Sequence, residues 1–433
     1  MSVIVRFAPS PTGPLHLGGA RTALFNYLFA KKAGGKIYLR IEDTDRERSK
    51  PEFEQNIFDS LNWLGLKFDN SEPIRQSARS EVYQKVLTQL ISTGAAYISK
   101  EENQAGSDEN KRSEVVRFKN PNQTISFVDL IRGEITFDTK ELGDFVIAKS
   151  LTEPLYHLAA VADDIEMGVT QVIRGEDHIS NTPRQILLIE ALGAARPTYA
   201  HIPLILAPDR SKLSKRHGAV SVTEYRARGY LPEALVNYLA LLGWNPGTAE
   251  EIFSLDELVQ RFLLAKVQKA GAIFDLVKLN WLNREYLKRL PDEILINQAP
   301  PEIDEKIVRK IMPLIKERLT ILTDLKQLLG ERGEFNYFFQ PPAYGLELLK
   351  NQKHFKKLSE LINSVGNRDD DFTAEKIKAK IMPYADQEGR SEVLWPFRAA
   401  LTGREKSPDP FTVAAILGKE ETLKRLVYAE NLV

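Results

Sequence analysis

The stretch Val3-Ile4-Val5-Arg6-Phe7-Ala8-Pro9-Ser10-Pro11-Thr12-Gly13-Pro14-Leu15-His16-Leu17-Gly18-Gly19 decides the fold. Val3 to Ala8 reads as a strand, and Pro9, Pro11, Gly13 and Pro14 continue it as a rigid, turn-rich loop. Ala20, Ala23, Leu24, Tyr27 and Leu28 then recur at helical spacing up to Lys32, and Gly34-Gly35 supplies the stop. Lys36 to Ile41 reads as a second strand. Ser49-Lys50-Pro51-Glu52 has capping-box spacing ahead of a buried stripe of Phe53, Ile57, Phe58, Leu61 and Leu64. Strand, loop, helix, strand, helix predicts the opening of a doubly wound α/β domain.

Ligands in such a sheet bind beyond the C-terminal ends of the strands, where the loop after Ala8 lies. A helix N-terminus there offers free N–H groups and about half a positive charge to an anion. Gly18 and Gly19 let a flat or phosphorylated ligand approach the backbone, and His16 can donate to a phosphate oxygen. Taken alone, the same residues read equally well as a packing turn with a capping histidine. The pattern is neither GxGxxG nor GxxxxGK[ST], which disfavours ordinary dinucleotide or P-loop binding.

Further along, Val169–Ile173 reads as a strand, Asn181-Thr182-Pro183 starts a helix to about Leu192, and His201–Leu206 reads as another strand. The segment from Glu72 to Ala162 separates the two α/β stretches. Within it, Lys100 to Glu114 is polar and reads as an exposed loop. Beyond Val220 the pattern is helical, with helices expected at Pro232–Leu242, Leu255–Phe262, Ile307–Leu329 and Ala374–Met382, punctuated by Pro and Gly.

The 433 residues carry 59 Lys plus Arg against 59 Asp plus Glu, so the formal net charge is zero and any nucleic-acid partner must be met by local basic patches. Cysteine is absent, which excludes disulfides and thiolate-bound metals. No apolar run approaches the roughly 20 residues that span a bilayer. Met1–Arg6 lacks the apolar core of a signal peptide. A soluble cytosolic protein is the expectation.

The second chemical signal is Asp209-Arg210-Ser211-Lys212-Leu213-Ser214-Lys215-Arg216, with four basic residues against one acid, a local charge of +3. Lysines after a strand end can stabilise charge growing on a pyrophosphate leaving group. Alone, such an octet is usually a solvated turn. Paired with His16-Leu17-Gly18-Gly19, it resembles the two signature motifs of class I aminoacyl-tRNA synthetases.

Other segments resemble the bacterial glutamyl-tRNA synthetases in particular: Arg6–Gly13, Arg40-Ile41-Glu42-Asp43-Thr44-Asp45, Tyr156-His157-Leu158-Ala159, Ile173-Arg174-Gly175-Glu176-Asp177, Gly229–Leu235, Arg398–Gly403 and Leu417–Glu420. The resemblance implies a Rossmann-like catalytic domain over 1–71 and 163–205, interrupted by an α/β insertion for the tRNA acceptor end at 72–162. It further implies a stem-contact helical domain over 206–300, carrying the lysine loop, and an all-α anticodon-binding region over 301–433. The implied reaction joins glutamate to ATP as glutamyl-adenylate and transfers it to the terminal adenosine of tRNA-Glu. His16, Gly18, Gly19, Lys212, Ser214 and Lys215 would bind ATP, with Mg²⁺ accompanying the nucleotide. Arg6 and Arg174 would meet the carboxylates, Glu42 the ammonium group, and Ser10 and Tyr156 would hydrogen-bond the amino acid. An arginine facing the side-chain carboxylate would also reject glutamine.

The chain departs from the family at Tyr97–Phe118, where many relatives carry a zinc bound by Cys and His; here there is neither, and no zinc is expected. Lys306 to Arg332 carries seven basic residues against three acids, a local +4 suited to phosphate contact, and Arg318 is the candidate for anticodon contact. Whether tRNA-Gln is charged as well as tRNA-Glu stays open. A monomer without membrane contact is expected. The rivals are a paralogue that glutamylates a tRNA-Asp base, against which the roughly 200 further residues speak, and a glutaminyl enzyme, whose C-terminal region is largely β. A non-catalytic RNA-binding relative is a third, opposed by intact His16, Lys212 and Lys215.

Overall fold

The computed structural model describes residues 2–101, 113–214, 221–349, 352–366 and 371–432. The expected loop inside Lys100–Glu114 and the residues Lys215 and Arg216 fall largely or wholly outside this set. Backbone contacts divide the chain into two units, Met1–Leu282 and Asn283–Val433, with the division inside a helix at Leu276–Arg289.

The first unit opens with β1 (Ile4–Phe7), α1 (Leu17–Lys32) and β2 (Lys36–Ile41). β1 and β2 pair in parallel from Ile4↔Lys36 to Phe7↔Leu39. The return from α1 to β2 is tight: Gly34 sits at φ +61°, and a Cβ on Gly35 would lie 2.3 Å from the Val3 carbonyl oxygen. Ala20, Ala23, Leu24, Phe25 and Leu28 bury one face of α1. α2 (Pro51–Trp63) follows, with Lys50 and not Ser49 at its N-cap and no side-chain cap bond. Pro51 at the first helical position lacks one of the N–H groups that a helix start leaves unpaired, and its fixed φ suits the first turn. β3 (Ile74–Arg75) pairs in parallel with β2.

The inserted stretch holds α3 (Ser80–Ser92), β4 (Ala96–Glu101), β5 (Ser113–Phe118), β6 (Thr124–Asp129), β7 (Gly133–Asp138), β8 (Phe145–Ser150) and β9 (Glu153–Pro154). β4, β5, β8 and β9 form one antiparallel sheet, and β6–β7 is a hairpin. α4 (Tyr156–Glu166) leads back into β10 (Gln171–Gly175), α5 (Thr182–Ala191) and β11 (Thr198–Ile202). β10 and β11 are parallel, and β6 joins the outer edge of β11 through Asp129↔Tyr199. Phe118, Ile125, Ile147, Leu158, Ile186 and Leu188 belong to one core shared by the insertion and the α/β layers.

The Thr170 N–H donates to the Ile4 carbonyl at 2.9 Å, and the Ile4 N–H donates to Thr170 Oγ1 at 2.8 Å. The two sheets therefore meet at β1 and β10. The chain runs outward from that seam in opposite directions, to β2 and β3 on one side and to β11 on the other. That seam is the topological switch point of a doubly wound sheet, where a ligand crevice forms.

The expected strand over His201–Leu206 is broken. β11 ends at Ile202, and Ile205–Leu206 pairs instead with Ala272–Ile273 in a separate two-stranded sheet. Pro203 removes the ladder donor at the break and fixes its φ.

The second unit is helical over its described residues. The expected helix Ile307–Leu329 is two helices, Glu305–Arg318 and Asp324–Leu329. Leu319 is extended at ψ 127°, and the Asp324 carboxylate accepts from the N–H groups of Thr320 and Ile321. This side-chain competition ends the first helix. Conversely, the helix from Ala374 runs through Pro383 to Glu388. Tertiary burial of Ile377, Ile381 and Ala385 outweighs the missing hydrogen bond there.

Candidate active site

β1, β2 and β10 each deliver an arginine to the seam. Arg6 lies in β1, Arg40 in β2 and Arg174 in β10, and all three are buried. Arg40 is 0% exposed and is matched by three acids. Its Nη1 donates to Asp164 Oδ1 at 2.6 Å, its Nη2 donates to Glu42 Oε1 at 2.9 Å, and its Nε stands 3.7 Å from Asp163 Oδ2. Arg6 Nε shares the same Asp164 oxygen at 3.0 Å. Asp163 is held on its far side by Arg79 Nε at 2.8 Å, Gln76 Nε2 at 2.7 Å and the Tyr83 hydroxyl. Burial opposes the charge on Arg40, but Asp164, Glu42 and Asp163 outweigh it and raise its pKa. Burial also pushes Asp164 up, yet Arg6 and Arg40 more than reverse this and lower it. At Glu42 burial wins over Arg40 and Arg6, so this carboxyl titrates above its usual range. A cation placed against Glu42 would favour its ionised form.

Arg174 is different, because its hydrogen-bond partners are neutral. Nε donates to His201 Nε2 at 3.2 Å, Nη1 to Gln185 Oε1 at 2.7 Å, and Nη2 to Thr182 Oγ1 at 2.8 Å. Burial lowers its pKa, the Tyr156 hydroxyl opposes that, and Arg6 adds to it. Tyr156 opens α4, hydrogen-bonds His178 Nδ1 at 2.8 Å, and feels Glu42, Arg174 and Arg6. The five expected amino-acid ligands are thus brought together, except that Ser10 spends its hydroxyl on the Glu42 carbonyl at 2.7 Å. That bond fixes the backbone that carries Glu42.

The expected phosphate site also converges. His16 is the N-cap of α1, and its Nδ1 accepts from the Gly19 N–H at 3.0 Å. The ring proton therefore sits on Nε2, a donor suited to an oxyanion. A Cβ on Gly18 would stand 3.1 Å from the His16 ring, so a small residue keeps the imidazole seated. Lys212 Nζ lies 3.7 Å from Asp177 Oδ2, in the turn that follows β10. Ser221, the first described residue after the lysine loop, bridges to His16, and the Val222 N–H donates to the Leu15 carbonyl at 2.9 Å. Both signature segments therefore lie at the same end of the sheet. Ser214 is the last described residue of the loop, and Lys215 lies outside the described residues.

Sequence reasoning missed Arg40, Asp163, Asp164, Asp129 and His201 as site residues. One signal was available for Asp129. β6 alternates with Ile125, Phe127 and Asp129 all buried, so an acid occupies an apolar phase. Among the described residues, no group of three or more His, Asp or Glu side chains is arranged to hold a metal ion.

In the second unit Arg318 Nε pairs with Glu334 at 3.0 Å and lines a cavity of about 200 Å³ with Phe335, Pro408 and Thr412. The local +4 there is reduced by flanking acids. Arg309 pairs with Glu293 and Glu305, and Lys316 pairs with Asp292.

The sequence pattern described as "tRNA synthetases class I (E and Q), catalytic domain" matches residues 2–105 and 98–281, and "Anticodon binding domain" matches residues 263–429. A glutamate–tRNA ligase of Carboxydothermus hydrogenoformans is 42% identical over 99% of this chain and 100% of its own length. The chain belongs to the glutamate–tRNA ligase family of class I aminoacyl-tRNA synthetases. A second glutamate–tRNA ligase, from Desulforamulus reducens, is 39% identical over 98% of this chain and 99% of its own. The crystal structure of a glutamate tRNA ligase from Elizabethkingia meningosepticum, in complex with its amino acid, superposes with a TM-score of 0.87 at 35% identity. That match covers 100% of this chain and 99% of the other. Within the glutamate–tRNA ligase family this is a compact, cysteine-free member: its 433 residues align over 483 positions with the Carboxydothermus enzyme. No helix among the described residues is long and apolar enough to cross a membrane.

His157 and His178 give the site a pH signature. Burial, then the neighbouring arginines (Arg184 at His157, Arg174 at His178), depresses each to about 4. A folded pKa below the unfolded value of roughly 6.5 means that the unfolded chain binds more protons between those limits. Stability should therefore fall as pH drops from 6.5 toward 4. Asp129 and Asp164, both lowered, act in the same direction at lower pH, while Glu42 opposes them. A melting temperature that stays flat from pH 6.5 to 5 would contradict these buried neutral histidines.

Proposed function

We propose that this chain activates L-glutamate with ATP and transfers it to the 3′-terminal adenosine of tRNA-Glu. The observation that carries this reading is Arg174, a guanidinium only 6% exposed and held by neutral groups, beside an internally matched network of Arg6, Arg40, Glu42, Asp163 and Asp164. A buried cation of this kind favours a substrate that brings a carboxylate. Arg174 and Arg6 would receive the substrate carboxylates, Glu42 the ammonium group, and Tyr156 a hydrogen bond. Glutamine would leave a buried charge without its ionic partner, a loss of the kind that rejects isosteric analogues strongly.

In the first step the α-carboxylate oxygen attacks the α-phosphorus of ATP, and the bond to the bridging oxygen breaks as pyrophosphate leaves. His16 donates from Nε2 to a phosphate oxygen, and Lys212, Ser214 and Lys215 stabilise the charge that develops on the leaving group. Lys212 would exchange its contact with exposed Asp177 for the nucleotide. Mg²⁺ accompanying ATP would offset the charge of its phosphates, with Lys212, Ser214 and Lys215 adding to that from the protein. In the second step the terminal ribose 2′-hydroxyl attacks the glutamyl carbonyl and AMP leaves. Positioning and charge stabilisation suffice, so no protein nucleophile takes part. Residues 72–162 would meet the acceptor end, residues 206–300 the stem, and residues 301–433 the anticodon, with Arg318 among the contacts. Charging of purified tRNA-Glu with labelled glutamate tests the reading, with tRNA-Gln and tRNA-Asp as comparators. Label carried only by tRNA-Asp would assign the chain to base glutamylation instead.

A further inference from the structure

We propose that Asp129 and His201 are positioning residues that set the angle of the Arg174 guanidinium toward the substrate's side-chain carboxylate. The inference rests on the reading of Arg174 as a glutamate ligand. Arginine nitrogens only donate, so the 3.2 Å contact from Arg174 Nε requires a lone pair on His201 Nε2. The ring proton must then sit on Nδ1, which donates to Asp129 Oδ2 at 2.7 Å. Asp129 is itself immobilised. Oδ2 also accepts the His201 N–H at 3.0 Å, and Oδ1 accepts the N–H groups of Ile131 at 2.9 Å and Arg132 at 2.8 Å. The His201 ring is 0% exposed and stacks on Tyr199, with centroids 6.1 Å apart and planes 8° from parallel.

This arrangement does something that a direct ion pair would not. A carboxylate on Arg174 itself would orient the guanidinium but occupy the fork that the substrate needs. With a neutral imidazole between them, Asp129 fixes the direction of the Nε–H bond while Gln185 and Thr182 fix the two Nη groups. Nη2 also donates to the His178 carbonyl at 3.4 Å, so the printed contacts hold the guanidinium in one orientation and leave an Nη1 N–H for a carboxylate, which would dock with little loss of rotamer entropy. Asp129 ends β6 of the insertion, so the hairpin Thr124–Asp138 braces the amino-acid site from outside the α/β layers.

Two replacements at His201 separate this role from mere packing. His201→Asn keeps an N–H donor near Asp129 but cannot reach Arg174, whereas His201→Gln can present an oxygen to Arg174 Nε. With saturating tRNA, His201→Asn should raise the KM for glutamate about tenfold, the size expected for a lost hydrogen bond to a charged group. The KM for ATP should stay within about twofold, and His201→Gln should raise the glutamate KM by less than about threefold. Equal glutamate KM values in the two variants, or parallel rises for glutamate and ATP, would overturn the proposal. Arg174→Lys should raise the glutamate KM more than either. If it does not, the reading of Arg174 fails, independently of His201. Should the His201 variants not fold, nitrogen chemical shifts of His201 in the parent protein decide the matter. A protonated Nδ1 and bare Nε2 are expected, and the opposite tautomer would overturn the positioning role.

Discussion

Lys212→Ala should slow glutamyl-adenylate formation by about two to three orders of magnitude, the cost typical of removing one donor from a preorganised oxyanion site. The side chain is 67% exposed and Asp177, the acid paired with it among the described residues, is 49% exposed, so an effect through stability is not expected. The melting temperature and the KM for glutamate should stay near the parent values while the rate collapses. Lys215→Ala should act in the same way, and the double variant should lose less than the product of the two, because on the proposed reading both lysines would stabilise one developing charge. Pre-steady-state pyrophosphate release measures this directly. A Lys212→Ala enzyme with a near-parent rate would remove the lysine loop from the phosphate site.

Arg40→Met should have the largest effect on stability. The guanidinium is wholly buried among Asp163, Asp164 and Glu42, and removing it leaves those carboxylates short of positive charge. Breaking a buried pair in this way costs roughly 3–5 kcal/mol, a large share of an ordinary domain's stability. Arg6 still serves Asp164 and Arg79 still serves Asp163, which places the expectation near the lower end, about 3 kcal/mol. For the unit Met1–Leu282 that corresponds to a fall of about 5 °C in Tm.

The sign of the pH response separates this electrostatic account from simple loss of packing. In the variant, uncompensated carboxyls take folded pKa values above their unfolded ones, so the folded state gains protons as pH falls. His157 and His178 act alike in both proteins, so the stability difference between parent and variant should shrink as pH falls. A difference between parent and variant that stays constant on acidification would mean that Arg40 acts by filling space.

Much of this site is legible in the sequence alone, and what is not depends on contacts between distant segments. His16, Gly18 and Gly19 could be read because a strand, a proline-rich loop and a helix start are contiguous, local signals. Lys212 gained meaning only when paired with them. Arg40 was read only as part of a motif, and Asp163 and Asp164 look like ordinary polar residues near a helix end. Their significance comes from α4 packing against β1 and β2 across more than 120 intervening residues. Asp129 and His201 are likewise 72 residues apart in sequence. The strand over His201–Leu206 and the helix over Ile307–Leu329 were each read as one element because apolar periodicity continues through the break. Pro203 and the Asp324 side chain act on the backbone, which periodicity does not register. Pro383 errs the other way, since buried neighbours carry a helix past a residue that usually ends one.

Charging of purified tRNA-Glu by the full chain, with ATP and either labelled glutamate or labelled glutamine, reads the selectivity of the buried arginine site itself. ATP-dependent esterification with glutamate is expected, with a preference over glutamine of about four orders of magnitude, the range reached when a buried polar site is left unpaired by the wrong substrate. Comparable charging with glutamine, or glutamate transfer to tRNA-Asp in place of tRNA-Glu, would contradict it.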